Sequence, residues 1–113
     1  MDLDVSALSH DQAVVRDYHA DRLVHNRMSA RIYHQLLAAA EQVLDRPLEV
    51  QVPTLLLYGE ADRIVSIETA NRWFHALSCQ KRLVSFPGTY HELHHEDVCG
   101  EVVRLTREWL TSP

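Results

Sequence analysis

Hydrophobic and polar residues change their rhythm once along this chain, between Pro47 and Pro53. Before that point apolar positions recur three or four residues apart. Ser9-His10-Asp11-Gln12 reads as a capping box, and Val14, Val15 and Tyr18 follow at helical spacing, which predicts a first helix. Ser29 is placed to cap a second helix with Ile32, Leu36, Leu37, Ala40, Val43 and Leu44 on one side, closed by Asp45-Arg46-Pro47. Residues 20–28 between them read as a loop.

After Pro53 the period shortens. Thr54-Leu55-Leu56-Leu57-Tyr58 is a continuous apolar run stopped by Gly59, the pattern of a strand covered on both faces. Residues 67–77 read as a helix with Ala70, Trp73, Phe74 and Leu77 on one stripe. Arg82-Leu83-Val84-Ser85-Phe86 predicts a second strand, closed by Pro87-Gly88. Val98, Val102, Leu105 and Trp109 space out a last helix starting near Glu96-Asp97, acids that suit its positive end. Trp73, Phe74 and Trp109 are expected in the core.

Strand, loop, helix, strand, loop, helix is the order of a parallel sheet with crossover helices, so the fold class is α/β. Two parallel strands cannot cover their own faces and edges. The pattern therefore asks for further strands that these residues do not supply.

The chain has 113 residues, which bounds it to one domain at most. Its apolar fraction of 46% and charged fraction of 24% are ordinary for a globular protein. Sixteen acids against eleven bases give a net charge of −5 with no basic stripe, which argues against a nucleic acid or an anionic membrane as partner. The opening MDLDVSALSHDQ has neither a basic region nor an apolar core, so no signal peptide is expected, and no apolar run approaches a transmembrane length. Cys79 and Cys99 fit no metal or redox spacing and are expected as free thiols in a cytoplasmic protein. Three glycines are few for an enzyme built on tight turns.

The densest chemistry lies in TYHELHHE, residues 90–97, where His91-Glu92-Leu93-His94-His95 matches the H-E-x-x-H pattern of zinc peptidases. That chemistry needs both histidines one turn apart within a helix, and Pro87-Gly88 sets this motif in a loop or first turn instead. The longer form of the motif calls for glycine at position 98 and histidine at position 101, where Val98 and Glu101 stand. Glu101 and Glu108, the downstream carboxylates, fall on the same short helix. The zinc peptidase reading ranks last, and no metal or organic cofactor is expected. His94 and His95, flanked by Glu92, Glu96 and Asp97, read as a solvated loop.

His91 differs because of its register with Asp62. Asp62 follows the first strand in LLLYGEADRIV, and His91 follows the second strand 29 positions later. Both belong at the carboxyl ends of adjacent parallel strands, where open α/β sheets place their active sites. Asp62 would accept a hydrogen bond from one ring nitrogen of His91, leaving the other to take a proton from a nucleophile.

VPTLLLYGEADRIV, FPGTYHELHHE and VVRLTREWL resemble the C-terminal end of α/β-hydrolases, most nearly the monoacylglycerol lipase and lysophospholipase group, also described as serine aminopeptidase-like. LSHDQAVVRDYHADRLVHNRMSARIYHQLLAA resembles that group's helical cap. One departure is Arg22, where the cap commonly has proline after the aspartate. The resemblance implies residues 1–46 as cap or lid and residues 47–113 as the C-terminal part of the hydrolase core. It implies Asp62 as the acid and His91 as the general base of a Ser-His-Asp triad, in the chain order that this fold uses. Ile64, Val65 and Leu93 are candidates for the acyl pocket, with core packing as the alternative. No G-x-S-x-G occurs, and Ser6, Ser9, Ser29, Ser66, Ser78, Ser85 and Ser112 have no elbow glycines beside them. The expectation is therefore the C-terminal portion of a serine hydrolase of carboxylic esters, inactive alone, with a lipid ester or other small ester as substrate and an N-terminal half carrying G-x-S-x-G as partner. A non-catalytic binding module derived from a hydrolase is the alternative.

Overall fold

Strand β1 (Thr54–Gly59) and strand β2 (Lys81–Phe86) pair in parallel, in register from Thr54 opposite Lys81 to Gly59 opposite Phe86. The structure, a computed structural model, describes residues 2–111. Helix α1 (Gln12–Ala20) and helix α2 (Ala30–Leu44) precede the strands, helix α3 (Ile67–Ala76) connects them, and helix α4 (Cys99–Thr111) follows. Short 3-10 turns occupy Val5–Ala7, Pro47–Glu49 and Leu93–His95. The α/β class and the parallel pair follow the sequence reading. Among the described residues no third strand joins the sheet.

Local signals account for most of the helix starts. The Ser29 side chain accepts from the Ile32 amide and opens α2, and Ser66 accepts from Thr69 to open α3. At the other end of α3, the Lys81 ammonium donates to the carbonyls of Phe74, His75 and Leu77 at 3.0, 2.9 and 2.7 Å, where the helix dipole favours a cation. The capping box expected at Ser9 is a correction. Asp11 is the N-cap of α1, accepting from Ala13 at 2.7 Å, while Ser9 is buried beneath the histidine loop. A second correction concerns α4, which begins at Cys99 rather than near Glu96-Asp97: Glu96 closes the preceding 3-10 turn with an extended backbone, and its carboxylate is held by His10.

The core is small. Phe86, Leu93 and Leu105 form its centre, with Leu57, Val84, Val98 and Val102 packed against it. Phe74 and Leu77 of the α3 region are buried as expected, but Trp73 and Trp109 are only half-buried. The Trp73 indole donates to the Val43 carbonyl at 3.1 Å and so ties the end of α2 to α3. Apart from Gly59 and Phe86, no residue of β1 or β2 is fully buried, and Ile32, Leu36, Leu37 and Val43 of α2 face solvent. A parallel sheet of this composition is ordinarily covered on both faces. Much of the apolar surface here lacks that cover.

Candidate active site

Each strand hands its chain to a loop at the same end of the sheet. The β1 loop begins at Gly59 and carries Asp62, and the β2 loop carries His91. Backbone bonds lace the two together: Glu60 N–H donates to the Phe86 carbonyl and Ala61 N–H to the Thr89 carbonyl, both at 3.0 Å. Gly59 makes that approach possible. A Cβ there would run into the carbonyl oxygens of Thr89 and Tyr90 and lie 2.7 Å from the Thr89 carbonyl carbon.

Asp62 and His91 meet across this seam, with His91 Nδ1 2.8 Å from Asp62 Oδ2. The Asp62 side chain is 7% exposed and the His91 ring 35%. The other carboxylate oxygen, Oδ1, accepts from the amides of Ile64 at 2.7 Å and Val65 at 3.1 Å. Partial burial alone would raise the Asp62 pKa. The hydrogen bond from His91, the two amides and the His91 charge outweigh it and hold the carboxyl below its ordinary value. Asp62 is thus ionised at neutral pH and accepts only, so Nδ1 of His91 carries the hydrogen. Nε2 is then the basic nitrogen, and it makes no hydrogen bond among the described residues.

A strap ahead of α1 steadies both loops. The Glu92 amide donates to the Leu8 carbonyl at 2.8 Å, and the Ser9 hydroxyl, on a residue 1% exposed, donates to the His95 carbonyl at 2.7 Å. The Glu96 carboxylate takes the His10 amide and ring at 2.9 Å each. His10 stacks on Tyr90 at 3.7 Å between centroids, and Arg63 lies over the Tyr90 ring at 5.1 Å while donating to the Ser6 carbonyl. None of these partnerships has a sequence signal, because each joins residues far apart in the chain.

Ile64 lines a cavity of about 410 Å³ with Leu3, Tyr33, Leu36 and Leu37. Val65 is exposed and contributes its amide to Asp62. Leu93 packs into the core beside Phe86 and Leu105 and is not part of that cavity wall. Residues 93–95 form a 3-10 turn, so the H-E-x-x-H stretch lacks the α-helical turn that zinc peptidases use. Among the described residues no serine hydroxyl bonds to His91: Ser9 lies under His95, Ser29 and Ser66 cap helices, Ser85 donates to Glu60, and Ser6 to Asp4. Ser112 lies outside the described residues.

Parallel strands that carry polar side chains on loops at their carboxyl ends place this site where open α/β sheets hold theirs. The sequence profile of the serine aminopeptidase, S33 family matches residues 1–98, and the chain belongs to that family. A monoacylglycerol lipase of Mycolicibacterium smegmatis is 28% identical over 97% of this chain and 40% of its own length. The crystal structure of Paleococcus ferrophilus monoacylglycerol lipase superposes with a TM-score of 0.90 at 33% identity, over 96% of this chain and 43% of that one. A soluble variant of monoglyceride lipase from Saccharomyces cerevisiae, solved with a substrate analog, gives a TM-score of 0.85 at 19% identity over 97% of this chain and 42% of that one, a likeness of fold. The chain spans 12% to 40% of the length of the curated relatives it matches. It is a fragment of the α/β-hydrolase fold, of the monoacylglycerol lipase type.

Proposed function

We propose that this chain supplies the acid and the general base of a Ser-His-Asp triad that hydrolyses monoacylglycerol-like or lysophospholipid-like esters. The observation that carries the reading is the 2.8 Å contact between Asp62 and His91, which leaves Nε2 of His91 unengaged at the carboxyl end of the sheet. Residues 47–113 form the end of the hydrolase core in this reading, and residues 1–46 form its cap. The cavity beside Ile64 belongs to the acyl pocket. The free thiols of Cys79 and Cys99 suit a reducing compartment, the cytoplasm.

The chemistry follows from the two side chains. A serine from the remaining part of the fold attacks the ester carbonyl while Nε2 of His91 removes its proton. Asp62 keeps the imidazole in the Nδ1–H tautomer and stabilises the imidazolium. Backbone amides contributed with the serine hold the tetrahedral oxyanion. His91 returns the proton to the departing alcohol, and a water activated by the same nitrogen then releases the fatty acid. Nucleophile and oxyanion hole both come from outside these residues, so the 113-residue chain turns over no ester by itself.

A chimera tests this reading. The part of the Paleococcus enzyme that this chain does not match, joined to this chain, should hydrolyse a monoacylglycerol, and Asp62→Asn should lower kcat on the order of 10⁴-fold. A loss under tenfold removes Asp62 from the triad. A folded but inactive chimera favours a binding module that kept the fold without the chemistry. The unfused chain should stay unlabelled by a serine-directed phosphonate, and stoichiometric labelling would place the nucleophile among its own serines.

A further inference from the structure

Three metal-ligating side chains gather on the turn just beyond His91. One donor atom from each of Glu92, His94 and His95 lies within 4.8 Å of the others. His95 Nδ1 sits 2.7 Å from Glu92 Oε2, and the two imidazole rings lie 4.2 Å apart, tilted by 47°. His94 makes no hydrogen bond or ion pair among the described residues. The backbone beneath them is fixed: the His95 amide donates to the Glu92 carbonyl at 2.7 Å, the Glu92 amide to Leu8, and the His95 carbonyl accepts from Ser9. Such a turn needs little reordering to present its side chains to an ion.

The surroundings favour a cation. His95 and Glu92 line a recess of about 250 Å³ with Asp17 of α1 and Asp21 just beyond its end. On the other side, His94 and His95 line a wider cleft with Glu96 and Asp97. No lysine or arginine lines either recess. Two imidazoles and a carboxylate are the donor set that suits zinc and neighbouring first-row divalent ions.

We propose that Glu92, His94 and His95 form a surface site for a divalent transition-metal ion such as zinc, separate from the Asp62–His91 pair. The site is not the H-E-x-x-H arrangement, since His91 gives its Nδ1 to Asp62 and takes no part. Tetrahedral zinc sets its ligand atoms roughly 3.3 Å apart. The exposed, unbonded His94 ring has the rotational freedom to close that gap, and water completes the coordination. The metal leaves the hydrolytic residues untouched and pins the turn that follows His91.

The test is calorimetric titration of the tag-free 113-residue chain with zinc sulfate, expected to show one ion per chain with a micromolar Kd. Glu92→Gln and His94→Ala, both at solvent-accessible positions, should each raise Kd at least about tenfold with unchanged far-UV circular dichroism. His91→Ala, His34→Ala on α2, and a Cys79→Ser/Cys99→Ser chain should bind within twofold of the parent. In concentrated guanidinium chloride the affinity should collapse, because the ligands converge only on the folded turn. A millimolar Kd, equal binding by His94→Ala, equal binding by the unfolded chain, or a loss with His91→Ala as large as with His94→Ala would each overturn the proposal.

Discussion

Helices α1 and α2 and the two loops that carry Asp62 and His91 are all solvent-facing, yet they are held in different ways. Neither helix buries a side chain, and the apolar face of α2 shows Ile32, Leu36, Leu37 and Val43 to solvent. Apart from bonds such as that from Trp73 to the Val43 carbonyl, their order rests on caps and intrahelical bonds, which by themselves stabilise helices of this length only marginally in water. The loops bury Leu93 in the core but little else that is apolar. They are fixed mainly by bonds between their own backbones and to the strap at residues 5–10, where Val5, Ala7, Leu8 and Ser9 are buried. One region awaits a surface to cover it, and the other is assembled already. The Asp62–His91 contact can therefore be preformed while helices α1 and α2 remain loosely supported.

Gly59→Ala should break the loops most severely. Its Cβ meets main-chain carbonyls that cannot swing aside, so a loss of about 4 kcal/mol or outright unfolding is expected in urea denaturation. A cost below about 1 kcal/mol would mean that the loops approach more loosely than described. Leu8→Ala, at a residue 4% exposed, should cost about 2 to 4 kcal/mol by opening a cavity beneath the strap.

Acid sharpens the comparison further. The Asp62 carboxyl is held below its ordinary value of 3.8, so its interactions stabilise the fold above that pH. That contribution disappears as pH falls through the lower folded-state value. Parent protein should therefore lose stability more steeply below pH 3.8 than Asp62→Asn, whose amide does not titrate. Parallel pH–stability curves for the two would mean that Asp62 is no better held folded than unfolded. The smallest effect belongs to α2. Leu36→Ala, at a residue 55% exposed, should change stability by no more than about 0.5 kcal/mol in this chain, measured in the same urea series as Leu8→Ala.

Much of the fold was legible because its signals are local. The apolar run after Pro53 marked β1, Ser29 marked the start of α2, and the stripe through Phe74 and Leu77 marked α3. The α/β order followed from the alternation of those elements. Errors arose wherever a distant residue claimed a group with a plausible local use. Ser9 looks like a cap until the His95 carbonyl takes its hydroxyl, and Glu96 looks like the first turn of α4 until His10 takes its carboxylate. Trp73 and Trp109 were expected in a core, and their positions on this fragment leave them half-buried.

The candidate site divides along the same line. Strand periodicity and the spacing of Asp62 and His91 were enough to bring the two residues to one end of a parallel sheet, because a strand's direction determines where its following loop emerges. Periodicity carries no information about which nitrogen faces which oxygen, about the amides of Ile64 and Val65 that hold the carboxylate, or about the turn that gathers Glu92, His94 and His95. Those depend on through-space contacts between loops, the strap and the sheet end. Such contacts are set only when the backbones close to within a hydrogen bond of one another, an event that no local pattern of residues encodes.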